Sequence, residues 1–145
     1  SIANKHDQDV VVSLGVHSGD HEIYPDCREE FFIKLFDAFI MGNWNADKLS
    51  IYLPYIDGDK YTILCDAESS IDALGLDFNT VFENTNTSYN PDSGGRASGT
   101  SGADVERILA FHKLGRQDPC DYQTSWDHVL ANALRVEAEY INGQV

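Results

Sequence analysis

The sequence predicts an α/β protein built on a parallel sheet, and two runs of residues carry that expectation. "DVVVSLGV" (Asp9 to Val16) is short, β-branched and almost continuously apolar, as expected of a strand buried on both faces of a parallel sheet. Leu49 to Leu53, closed by Pro54, is a second such run. Each is followed by helical periodicity, and strand, helix, strand, helix is the order of an α/β layer arrangement.

After the first strand, Asp26 stands where a helix cap would, with Glu29 three residues on. Phe31, Phe32, Leu35, Phe39 and Ile40 make an apolar stripe that stops at Gly42. A second helix is predicted from about Asp59 to Leu74. From Phe82 to Ala103 the chain turns polar and rich in Gly, Ser, Thr and Asn, a longer loop than compact domains usually carry. A helix from about Asp104 to Leu114 follows. The last helix starts at a Ser125 cap and places Trp126, Val129, Leu130, Ala133 and Val136 on one face.

The length of 145 residues suits one domain over 1–145, and a 42% hydrophobic content excludes a disordered chain. The 24 acidic against 10 basic residues give a formal charge of −14. That field repels phosphate backbones and anionic lipid, which argues against direct nucleic-acid binding. No apolar run approaches the roughly 18 to 20 residues of a membrane span, and "SIANKHDQD" does not read as a signal peptide. Cys27, Cys65 and Cys120 form no CxxC pair, which fits reduced thiols in the cytoplasm.

Ligands of open α/β sheets sit beyond the carboxyl ends of the strands. His17 to Arg28 and Pro54 to Lys60 are therefore the first candidates for a site. The first of these loops lies in "GVHSGDHEIYPDCREEF" (Gly15 to Phe31), which resembles the 7-cyano-7-deazaguanine synthase family through Tyr24-Pro25-Asp26-Cys27-Arg28 and Phe31. "LPYIDGDKYTIL" is similar to the family's second loop, with Pro54, Lys60 and Ile63 in place. "TNTSY" (Thr85 to Tyr89) falls at its Thr-Trp-Ser-Cys-Tyr run, and "FHKLGRQDPCDY" keeps Asp118, Pro119 and Tyr122. The resemblance covers 9–122 and leaves 123–145 as an extra C-terminal helix. It implies a partial Rossmann-like sheet of the PP-loop superfamily (adenine nucleotide alpha hydrolase-like).

The implied chemistry is that of an ATP-dependent ligase. A ring carboxylate is adenylated, ammonia displaces AMP to give an amide, and a second activation of the amide oxygen yields the nitrile, for tRNA or DNA base modification. Arg28 and Lys60 are the cations this portion offers, one as a bidentate clamp and the other as a point charge. Asp20 and Asp26 are candidate acceptors for the ring N–H groups of a deazaguanine, and Tyr24 for stacking on it. The blander alternatives are a salt bridge of Arg28 with Asp26 or Glu29, a solvated Lys60, a capping Asp26 and a packed Tyr24. His17 and His21 flank Asp20, a cluster that invites acid–base chemistry, although the resemblance implies only loop structure there.

The resemblance also implies a structural zinc on four cysteines, but Ser88, Ser98, Ser101 and Asp104 occupy those places while Gly99, Arg107 and Phe111 keep the register. Hydroxyls do not replace thiolates on a borderline-soft ion, so zinc is expected to be absent. Ser, Thr and Asp side chains capping the helix near Asp104 are expected to hold the loop instead. The alternative is that Ser98, Gly99, Ser101 and Gly102 present backbone N–H groups to an anion at the helix N-terminus.

The family's Ser-Gly-Gly-x-Asp-Ser phosphate loop has no counterpart before Asp9. "SGGRAS" (Ser93 to Ser98) imitates it with Ala97 at the Asp place, without a buried strand to feed it. ATP with Mg is thus implied only where a PP-loop portion is supplied, by a separate chain or by a part removed from this one; a role other than synthesis is the third alternative. The competing expectation is a non-catalytic deazapurine-binding or interaction protein. A homodimer is also implied, with the last helix either offering a face to it or closing the chain's own core.

Overall fold

In a computed structural model that describes residues 6–19, 24–44 and 46–143, the chain divides into two compact units, Ser1–Asp59 and Lys60–Val145. In the first, strand β1 (Val10–Ser13) pairs in parallel with β2 (Leu49–Tyr52), in the register Val10↔Leu49 to Ser13↔Tyr52. Helix α1 (Glu29–Met41) lies between them in the chain, flanked by 3₁₀ turns at Pro25–Cys27 and Ala46–Lys48. Parallel strands need such a crossover, and one βαβ unit is the building block of a Rossmann-like sheet.

Three expectations are corrected here. Asp26 does not cap α1: it sits in the 3₁₀ turn, and Arg28, in extended conformation, is the N-cap residue, with no side-chain cap hydrogen bond. Pro25 explains this, since its fixed φ starts the tight turn early and the chain must extend before the helix begins. The strand β1 is not buried on both faces, because Val11 is 58% exposed in a sheet of two strands. Of the α1 stripe only Phe32 is buried, while Phe31, Leu35 and Phe39 stay exposed. One helix and two short strands supply too little opposing apolar surface to cover them.

The second unit is helical, with α2 (Lys60–Leu74), α3 (Phe78–Glu83), α4 (Gly102–Lys113) and α5 (Trp126–Ile141). Helix α4 is its centre. One flank packs Ala110 and Phe111 against Leu64 and Ile71 of α2 and Phe78 of α3. The other packs Val105 and Ile108 against Val129 and Ala133 of α5, so the stripe on the last helix closes this unit's own core. Residues 78–83, partly read as loop, form α3, whose Asp77 accepts from Thr80 N–H at 2.8 Å. No helix among the described residues is long and apolar enough to cross a membrane.

Candidate functional site

Both sequence-predicted loops of the first unit leave the carboxyl ends of the paired strands. Leu14 N–H donates to Tyr52 O at 3.2 Å, extending the ladder by one rung, and Ser18 N–H donates to Ile56 O at 3.1 Å. The Ser18 hydroxyl donates to the same carbonyl. Gly19 follows, packed so tightly that a Cβ there would overlap Gly58 O and the Asp59 side chain. The two loops are thereby stitched together where the strands end, the place at which a parallel sheet presents a ligand.

Tyr24, Asp26 and Arg28 all lie at the entry to α1 and all are exposed. Cys27 N–H donates to Tyr24 O at 2.9 Å, closing the 3₁₀ turn, and Arg28 O accepts from Phe31 N–H at 3.1 Å. Among the described residues Arg28 makes no ion pair with Asp26 or Glu29, so its guanidinium stays open to solvent. Lys60 is the first residue of α2 and half-buried. Asp20 and His21 lie outside the described residues.

In the second unit Ser88, Ser98, Ser101 and Asp104 converge. Asp104, 1% exposed, receives on Oδ2 the hydroxyls of Ser88 (2.9 Å) and Ser98 (2.7 Å) and the N–H groups of Gly99 (3.0 Å) and Ser101 (3.3 Å). Its own N–H donates to Ser101 Oγ at 3.2 Å, completing a capping box on α4. The N–H groups of Gly99 and Ser101 are thus turned onto the chain's own carboxylate. Gly99 enters this turn at φ +74°, and a Cβ there would overlap Val129 of α5, so glycine is required both by conformation and by space.

"SGGRAS" is folded onto itself, with Asp92 Oδ1 accepting from Gly94 N–H and Arg96 N–H, each at 2.9 Å. Ala97 bridges to Tyr122 instead of ending a strand that feeds a helix. The N–H groups of Gly94 to Ser98 are already engaged and do not form a phosphate cradle.

A buried network that the sequence reading did not assign lies on the same face of α4. Arg107, three residues after Asp104, forks onto Asp118 through Nε–Oδ2 (2.5 Å) and Nη2–Oδ1 (2.8 Å) and reaches Thr85 Oγ1 at 2.9 Å. Tyr122 OH donates to Asp118 Oδ2 at 2.7 Å and Cys120 N–H to Oδ1 at 3.0 Å. Burial alone would lower the Arg107 pKa, but the hydrogen bond and charge of Asp118 outweigh it and hold the guanidinium above its ordinary value. Burial, reinforced by the Asp118 charge, pushes the Tyr122 phenol well up, and burial pushes the Cys120 thiol up. The available signal was the spacing: Asp104, Arg107, Ile108 and Phe111 recur as i, i+3, i+4, i+7, which puts two charges into an apolar stripe.

The profile of the family described as "Queuosine biosynthesis protein QueC" matches residues 1–115. The chain belongs to this family. Among its QueC relatives, the 7-cyano-7-deazaguanine synthase of Psychromonas ingrahamii is 41% identical over 112 residues, 77% of this chain and 45% of that one. The synthase of Alteromonas mediterranea is 42% identical over 77% of this chain and 46% of its own length. That of Caldicellulosiruptor bescii is 35% identical over 78% and 46%. The chain thus spans about half the length of the curated QueC relatives it matches. Among the described residues no cluster of His, Cys, Asp and Glu is arranged to hold a metal ion.

Proposed function

We propose that this chain is a portion of a 7-cyano-7-deazaguanine synthase, contributing substrate-binding and catalytic side chains to ATP- and ammonia-dependent conversion of 7-carboxy-7-deazaguanine to the nitrile. The observation that carries the reading is the QueC match over residues 1–115. It includes the Tyr24 to Arg28 segment, which follows β1 at the sheet's carboxyl end.

In this reading Arg28 clamps the negatively charged oxygens of the activated intermediate, where a fork of N–H donors is stronger than a single charge. Lys60 adds a second positive charge where negative charge develops. Asp20 and Asp26 accept from the ring N–H groups and Tyr24 stacks on the base. ATP enters with a PP-loop-bearing polypeptide. Support for such a partner comes from the exposed apolar side chains of the first unit, Val11, Phe31, Ile33, Leu35 and Phe39, a surface of the kind that marks an interaction site. We place the assembly in the cytoplasm as a homodimer, for which the exposed Leu134, Tyr140 and Ile141 of α5 offer a face.

Calorimetric titration of the chain with 7-carboxy-7-deazaguanine tests the substrate assignment. Saturable binding is expected, weakened about tenfold or more in Arg28→Ala, the loss typical of a charge-assisted pair. Absence of binding by a folded chain, or equal affinity in the variant, contradicts it.

A further inference from the structure

We propose that the Asp104 carboxylate replaces a metal ion as the clip that ties the 85–89 segment, the 98–101 turn and the start of α4 together, so that this region folds without zinc. The four zinc positions come from the family resemblance; the inference itself rests on the hydrogen-bond network and not on the proposed synthase activity.

The donor set does not fit zinc. Three of the four positions carry hydroxyls, and a structural zinc site is closed by thiolates and imidazoles that turn lone pairs toward the ion. Here the lone pairs face the other way. Ser98 Oγ accepts from Thr100 N–H (3.2 Å) and Thr100 Oγ1 (3.1 Å), and Ser88 Oγ accepts from Ser98 N–H (3.1 Å) and Asn90 N–H (3.4 Å). A hydroxyl has one proton and two lone pairs; Ser88 Oγ lies 3.4 Å from Ser98 Oγ but closer, 2.9 Å, to Asp104 Oδ2, and Ser98 Oγ lies 2.7 Å from it, so each turns its proton inward, on Asp104 Oδ2. The centre of the cluster is a ring of donors. Such a ring attracts an anion and repels a cation, and Asp104 supplies the anion from the first turn of α4, where the helix dipole favours it.

The same arrangement joins the three segments that a metal would join. Ser88 lies ten residues before Ser98 and sixteen before Asp104, so one buried oxygen closes both spans. The other carboxylate oxygen, Oδ1, is buried without a partner. Asn at 104 can therefore still turn its one oxygen to the four donors, placing the amide nitrogen where Oδ1 now sits, whereas Ala leaves all four donors unpaired.

The test measures zinc content and melting temperature of the full chain. Protein expressed with added zinc is expected to carry less than about a tenth of an equivalent, and dialysis against a chelator to leave the Tm unchanged, since only a bound ion adds stability that a chelator removes. Asp104→Ala is expected to lower the Tm by about 10 °C, with Asp104→Asn intermediate. Should Asp104→Ala fail to fold, Ser98→Ala, which leaves Oδ2 three donors, is expected to fold and to melt a few degrees lower. One equivalent of zinc, a chelator-dependent Tm, or an Asp104→Ala variant that melts with the wild type overturns the proposal.

Discussion

Gly99 shows how much one residue position can fix. It sits at positive φ in the turn that feeds Asp104 and also touches Val129, so Gly99→Ala adds backbone strain and a steric overlap. We expect it to destabilise by about 2–3 kcal/mol, and expect Val129→Ala to offset part of that loss in the double variant, a coupling that a double-mutant cycle reads directly. Arg107 and Asp118 are a second case. Their fork is buried, with side-chain exposures of 7% and 0%, and Asp118→Ala strands the guanidinium away from water, for an expected loss of about 3–5 kcal/mol in chemical denaturation.

Tyr122 links the same network to pH. Its pKa is raised in the folded chain above its ordinary 10.0 by burial and by Asp118, so the folded state holds the phenol proton more tightly than the unfolded state does. Its contribution is fully present below about pH 10 and is lost as pH rises further. Tyr122→Phe should be less stable than wild type near neutrality, with a gap that narrows above about pH 10 in denaturant titrations at stepped pH. A gap independent of pH contradicts the assignment.

At the scale of elements, legibility followed the range of the interaction. Helices α4 and α5 were readable because each buries a periodic stripe, and a Ser, Thr or Asp cap near Asp104 was foreseen, filled by Ser101, because a capping box spans only four residues. α3 was partly missed because six residues are too few for periodicity to emerge, although Asp77 three residues before Thr80 was a readable cap. Arg107 was not assigned a partner because Asp118 lies eleven residues away, beyond the helix, and a sequence read alone does not fold that segment back. The exposure of β1 was misread for a different reason. An apolar strand reports the environment it suits, not whether the same residues also supply the layer that covers it. Replacing Val129 by Asp should test the α4–α5 packing: a charge placed between Val105, Ile108 and Ala133 should abolish cooperative unfolding of the second unit in far-ultraviolet circular dichroism.

For the whole molecule, the described residues of the two units differ in how much apolar surface they bury. Residues Lys60–Val145 enclose two apolar clusters and two buried polar networks, while among the described residues of Ser1–Asp59 Val11, Phe31, Ile33, Leu35 and Phe39 are exposed. The chain matches less than half of the length of each of these relatives. The loops leaving β1 and β2 are stitched together by Ser18 and Ile56, and a formal charge of −14 repels phosphate backbones.

The measurement that tests the proposed function most directly is turnover of 7-carboxy-7-deazaguanine with ATP and ammonia, read by mass spectrometry of the base. It would compare the chain alone with the chain in complex with whatever PP-loop-bearing polypeptide co-purifies from its source. Nitrile formed only by the complex, and lost in Arg28→Ala, is the expected result. A complex that binds the base but yields neither amide nor nitrile would contradict it and make the chain a binding protein.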